Sequence, residues 1–279
     1  MKIKEIVSAL ERFAPLPLQD GFDNAGLQIG LTEVEATGAL LCLDVTEAVL
    51  DEAIALGYNL VISHHPLIFK GYKSITGKDY VERCILKAIK NDIVIYSAHT
   101  NLDNAYGGVN YKIAEKIGLK NLQVLEPKEN SLQDDLTQAG AGIVGELDEP
   151  ETELEFLKRI KKTFEVGCVR HNRLTGREIQ KVALCGGAGA FLLPQAIRAG
   201  ADVFITGEIK YHDYFGHEGD ILMAEIGHYE SEQYTKEIFY SIIRDLFPNF
   251  ALQSSKINTN PIKYLQVKWL EKQKKIRMS

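Results

Sequence analysis

Two stretches of this chain repeat one another. At an offset of 143 residues, Leu41–Cys42 falls on Leu184–Cys185, Ala53–Ile54 on Ala196–Ile197, Gly57 on Gly200, and Leu60–Ser63 on Val203–Thr206. At an offset of 129, Ile93–Ile95 falls on Leu222–Ala224, His99 on His228 and Asp103 on Glu232. Generic α/β periodicity accounts for the apolar matches alone. Glycine, cysteine, histidine and acid positions coincide as well, so duplication is the better account, and the chain is expected to fold as two similar units facing one another.

Each unit reads as α/β. Ile3, Ile6, Val7, Leu10 and Phe13 recur at helical spacing before Pro15 and Pro17, which predicts a helix over about residues 2–13. Residues 39–43 and 59–63 are short continuous apolar runs separated by a helical period, the pattern of a βαβ unit with buried parallel strands. A helix over 79–91, a strand over 93–97 and a helix carrying Ile113, Ala114 and Ile117 follow. Residues 121–180 read as a link that holds Gly140, Gly142, Gly145 and Pro150, then a helix over 152–164 whose Glu153, Glu155, Lys158 and Lys161 form a solvated face. After the strand Ile221–Ala224, a last helix buries Ile238, Phe239, Ile242, Ile243 and Leu246.

Chemistry collects where strands end. Ser63–Pro66 carries His64 and His65 just past the strand at 60–62, and ligands in open α/β sheets gather beyond carboxyl ends. Adjacent histidines project in different directions, so such a pair can serve two neighbouring ions. His99 and Asp103 lie past the next strand, where the aspartate is either a ligand or a helix N-cap. His228 and Glu232, four apart at a helix start, share one face and can converge on one ion. Histidine and carboxylate donors without cysteine suit zinc, iron or manganese. Gly186–Gly189 follows a strand and is a tight turn or, less specifically, a phosphate cradle. Glu208, the repeat partner of His65, is a candidate to enter the cleft with His212.

Composition narrows the function. With 32 basic and 38 acidic residues the net charge is -6, which argues against nucleic acid or a membrane surface held by bulk charge. Glu5 and Glu11 interrupt the N-terminal stretch, which therefore reads as neither signal nor transit peptide. Cys42, Cys84, Cys168 and Cys185 are widely spaced, as expected of reduced, buried thiols in a cytoplasmic protein.

The segments FDNAGLQIG (22–30), LDVT (43–46), SHHPLIF (63–69), AHTNLD (98–103), GGAG (186–189), TGEIKYHD (206–213) and GHYESE (227–232) together resemble the YbgI-like family. Its members are also called GTP cyclohydrolase I type 2 homologues, or Nif-three-like dinuclear-metal proteins. The match runs from end to end, without the extra domain that longer members insert. Phe22 stands where the family usually has tryptophan, a difference that bears on local packing. The resemblance implies two intertwined α/β lobes with mixed sheets, a first of residues 1–104 plus 229–279 and a second of 105–228, with a dinuclear site in the cleft. It implies a homohexameric toroid, and carries the metal ligands onto His64, His65, Asp103, His228 and Glu232, the residues already reached from strand ends.

Two functions follow as expectations. In the first, the chain is a metal-dependent hydrolase acting on a nucleotide-like substrate. Two divalent ions about 3.5–4 Å apart acidify a water, Glu232 or Asp103 bridges them, and a carboxylate or His99 moves the proton. In the second, it is a non-catalytic metal-handling protein or regulatory scaffold.

Overall fold

Short apolar runs in this chain become strands buried on both faces. The computed structural model describes residues 1–128 and 139–265. The chain opens with α1 (Ile3–Phe13), β1 (Gly26–Ile29), β2 (Ala39–Cys42), α2 (Glu47–Leu56), β3 (Leu60–Ser63), α3 (Tyr80–Lys90), β4 (Val94–Ser97), α4 (Thr100–Asn104) and α5 (Val109–Ile117). It continues with β5 (Lys120–Pro127), β6 (Gly140–Thr152), α6 (Glu153–Thr163), β7 (Arg170–His171), β8 (Glu178–Cys185), α7 (Leu193–Arg198), β9 (Val203–Thr206) and β10 (Leu222–Glu225). Last come α8 (His228–Glu232), α9 (Thr235–Leu246) and β11 (Leu252–Ser254).

These strands form two mixed sheets. The first has the order β1-β4-β3-β2-β11, parallel except for β1. The second has the order β5-β6-β8-β9-β10-β7, with β8, β9 and β10 parallel and the rest antiparallel. In the first sheet Leu40, Cys42, Val61 and Ile95 pack under α2 and α3, while Leu41, Ile62 and Tyr96 face the other way. That second face joins α1, α5 and α9 and the inner face of the other sheet in one apolar cluster. Alternate residues thus bury opposite faces, which is why the runs look continuous rather than alternating.

The repeat survives in the sheets with one slip. Ala39 pairs with Leu60 as Val182 pairs with Val203, both related by 143 residues. Leu60 pairs with Val94, however, whereas Val203 pairs with Leu222, so β4 and β10 are related by 128 residues and not by the 129 of the His-x3-acid motifs. The extra residue sits between strand and helix, at Gly227, whose φ of +93° a side chain rarely adopts.

Four expectations are corrected. The link at 121–180 supplies β5, β6 and β7 and the start of β8, with Pro150 tolerated in β6 because it falls where the β6–β8 register breaks, between Glu146 and Glu151. Glu153 is buried, because its carboxylate accepts hydrogen bonds from Thr175 N and Oγ1 and from Gly176 N. Leu246 ends α9 half-exposed, and Cys168 is exposed while the other three free cysteines are buried. Residues 266–279 of the expected first lobe lie outside the described residues.

Candidate metal centre

Parallel register decides which residues meet. Cys42 pairs with Ser63, so two residues further on Asp44 lies beside His65, and its Oδ1 holds His65 Nδ1 at 2.7 Å. Ser63 pairs with Ser97, and just beyond them His64 Nδ1 donates to the Ala98 carbonyl at 2.8 Å. Thr206 pairs with Glu225, and past those ends Glu208 Oε1 holds His228 Nδ1 at 2.9 Å. Three histidines are thereby gripped at Nδ1 with Nε2 left to point inward. This is the arrangement that orients metal-ligating imidazoles.

The inward nitrogens converge on both oxygens of Glu232, which is 3% exposed. His65 Nε2 lies 3.0 Å and His228 Nε2 3.1 Å from Oε2, and the two nitrogens are 3.3 Å apart. His64 Nε2 lies 3.8 Å from Oε1 and 3.6 Å from Asp103 Oδ1. Both His64 Nε2 and Asp103 Oδ1 are buried with no hydrogen-bond partner among the described residues. A buried polar atom left without a partner is costly, and a cation between these atoms removes that cost. Separations of 3.0–3.3 Å also match the edge between two donors on an ion with bonds of about 2.0–2.1 Å. The residues present therefore fit a metal, as two donor sets, His65–His228–Glu232 and His64–Asp103–Glu232, with a third group of His64, His65 and His99 adjoining them.

Electrostatics agree. Burial by itself would lower His65, but Asp44 and Glu232 on its two nitrogens outweigh it and raise the imidazole to about 10. Burial likewise opposes the Glu232 charge at His228, which is raised to about 9. Burial favours a protonated Glu232, yet His228 and His64 hold it well below the usual carboxylate range. Asp103 is pushed up to about 8, first by burial and then by the Glu232 charge. The cluster is short of positive charge, which protons or a cation can supply.

Glycines make the floor. A Cβ on Gly187, at φ +57°, would come within 2.3 Å of Glu232 Oε1. The run at 186–189 is a turn rather than a phosphate cradle: Gly186 N donates to Asn110, Gly187 N to Ser231 and Gly189 N to Thr206, so three of its four amides are engaged. Asp103 lies inside α4, so it is not the N-cap. His99 is the N-cap residue, and Asp23 accepts the hydrogen bonds from Thr100 N and Oγ1 at that helix end.

His99 stands beside the cluster. Its Nδ1 is held by Asp23 Oδ1 at 2.7 Å, not by Asp103, and its ring lines a cleft of about 460 Å³ with His65, Asp103, His228 and Glu232. His212 does not join them; with Glu208 it lines a neighbouring hollow. Phe22 is 66% exposed at the cleft's mouth, its ring beside that of Phe69. Asp44, Asp23 and the Ala98 carbonyl went unread as partners in the sequence, although Asp44 and Asp23 stand in the quoted motifs LDVT and FDNAGLQIG.

Among the described residues, no helix is long and apolar enough to cross a membrane. Comparison with known proteins places the chain. A GTP cyclohydrolase 1 type 2 homolog of Clostridium perfringens is 37% identical over 235 residues, covering 83% of this chain and 87% of that one. Staphylococcus aureus protein SA1388 superposes with a TM-score of 0.86 at 31% identity, over 95% of this chain and 99% of that one. The protein ybgI, described as of unknown function, superposes with a TM-score of 0.79 at 26% identity, over 94% and 100%. The profile of Duf34/NIF3 (NGG1p interacting factor 3) matches residues 1–261, and the chain belongs to that family.

Proposed function

We propose that this chain holds two divalent metal ions, one at His64, Asp103 and Glu232 Oε1 and one at His65, His228 and Glu232 Oε2, and is a metal-dependent hydrolase of a nucleotide-like substrate. The observation that carries the metal reading is the convergence of three Nδ1-anchored histidines on both oxygens of one buried carboxylate. The relatives' name, GTP cyclohydrolase 1 type 2 homolog, supports the substrate class. Zinc, iron and manganese all suit these donors.

Bound there, such a pair of ions supplies Lewis acidity and a water acidified toward neutrality. The protein's own part is positional. Glu232 spans both donor sets, Asp44, Glu208 and the Ala98 carbonyl stop the imidazoles from turning, and His99, its Nδ1 held by Asp23 and its ring lining the cleft, accepts or returns a proton. The lobe division at 1–104 plus 229–279 against 105–228 is part of this reading, supported by β11 returning to pair with β2. So are the intertwined lobes, the homohexamer and the cytoplasmic location. A second reading, a non-catalytic metal-handling protein or regulatory scaffold, draws on the family's description as an interacting factor.

A metal-defined screen of nucleotides, pterin precursors and phosphoesters, run beside His65→Ala, separates the two. Metal-dependent turnover lost in the variant supports the hydrolase. Bound metal without turnover in the wild type removes it and leaves metal handling.

A further inference from the structure

Three large apolar side chains around the cleft are left in water. Phe22, Phe69 and Phe191 are 66%, 45% and 59% exposed, and all three line the cleft above the donor cluster. They come from separate places in the chain: the segment before β1, the segment after β3, and the turn between β8 and α7. The rings of Phe22 and Phe69 lie 6.3 Å apart at 50°, and Phe69 stands edge-on to His99 at 6.2 Å and 79°. Phe22 and Phe191 also wall an adjoining hollow of about 400 Å³ with Asp20 and Lys128.

A single exposed phenyl ring means little, but three converging on one concave site do. At about 460 Å³ the cleft falls in the size range of small-molecule sites. Its two ends differ in chemistry: flat aromatic faces at the mouth, and imidazole and carboxylate donors at the floor. A ligand that fills it has matching ends. Phenyl faces gain most from another flat ring stacked on them, so the outer end is planar and aromatic. The inner end carries the oxygens.

We propose that Phe22, Phe69 and Phe191 form an aromatic clamp that stacks the planar heteroaromatic ring of the substrate while its oxygen-bearing end reaches the donor cluster. This rests on the proposed hydrolase reading for the placement of the inner end, and assigns the residues that choose the ring. A sugar phosphate without a base leaves the clamp empty and binds weakly.

Calorimetric titration of the metal-loaded protein with GMP, UMP and ribose 5-phosphate tests this, with metal content and thermal melting recorded on the same samples. At least one nucleotide is expected to bind about tenfold or more tightly than ribose 5-phosphate. Phe191→Ala, and Phe22→Leu, which keeps apolar bulk but removes the flat face, are expected to weaken that nucleotide about tenfold with unchanged ribose 5-phosphate binding, metal content and melting. Ribose 5-phosphate binding as tightly as both nucleotides overturns the clamp, as does Phe22→Leu leaving nucleotide affinity intact. Metal retained with the clamp overturned leaves the metal reading standing. Ring-selective binding by protein that retains no metal removes the hydrolase and keeps the clamp.

Discussion

The corners after β4 and β10 carry the same spacing, His-x3-acid, and use it differently. After β10, His228 begins α8 and Glu232 meets His65, His228 and His64. After β4, His99 precedes α4 as its N-cap residue, and Asp103 Oδ1 lies 3.6 Å from His64 Nε2. One residue separates the two. Gly227 at φ +93° takes the cap position in the second corner and advances the histidine into the helix. A four-residue motif therefore yields either a shared acid with its histidine beside it, or an acid beside His64 with a histidine standing off toward the cleft. The outcome depends on where the helix starts.

Removing each acid breaks this comparison most sharply. Glu232→Gln is expected to abolish retention of metal at both donor sets, while Asp103→Asn spares the set at His65 and His228, so that about half the metal survives dialysis. Metal analysis of the two variants checks it, and equal losses would contradict a shared Glu232. Next in size are the anchors, since outer partners of ligating histidines are worth about 10–100-fold in metal affinity. Asp44→Asn is expected near the top of that range and Glu208→Gln near the bottom, because Asp44 is two-thirds buried and held by Thr259, whereas the Glu208 side chain is 57% exposed. Competition with a chromogenic chelator ranks them, and the reverse order would refute it.

Smaller effects sharpen the account of the corner. Gly227→Ala must hold φ +93° and bring a Cβ within 2.2 Å of Glu230 Oε2. A loss of about 1–3 kcal/mol in denaturant unfolding is expected; no loss would show that the extra residue is not strained. The least effect concerns acid. Asp23, with a fully buried side chain, is penalised by burial, but hydrogen bonds from His99 and Thr100 hold it at about 2, below its ordinary 3.8. A depressed carboxylate stabilises the fold above the unfolded value, and that contribution fades as pH falls through the folded one. At most about 2 kcal/mol is therefore lost between pH 3.8 and about 2, and Asp23→Asn is expected to flatten that limb of the acid-unfolding curve. An unchanged limb would mean that Asp23 does not hold His99 in this way.

Much of this was readable in residue order. The strands at 39–42, 60–63 and 94–97 and the helices at 3–13, 80–90 and 153–163 fall within a residue of expectation, because each is an uninterrupted apolar run or a 3.6-residue period bounded by a cap or a proline. β1 and β5–β7 were not, since edge strands that are short, as β1 and β7 are, or largely solvent-facing, as β5 is, and a strand broken by Gly140, Gly142, Gly145 and Pro150 carry no such pattern. Glu153 looked solvated for a related reason: the Thr175 and Gly176 groups that bury it lie 22 and 23 residues away.

Residue order showed which histidines and carboxylates stand at strand ends, because hydrophobic period and residue chemistry are local properties of the chain. Which Nε2 faces which oxygen of Glu232, why His99 stands aside, and that phenylalanines at 22, 69 and 191 meet over one floor were decided only by the folded chain. Those depend on register between strands and on the residue at which each helix begins, and a shift of one residue reverses a strand's faces while leaving its period unchanged.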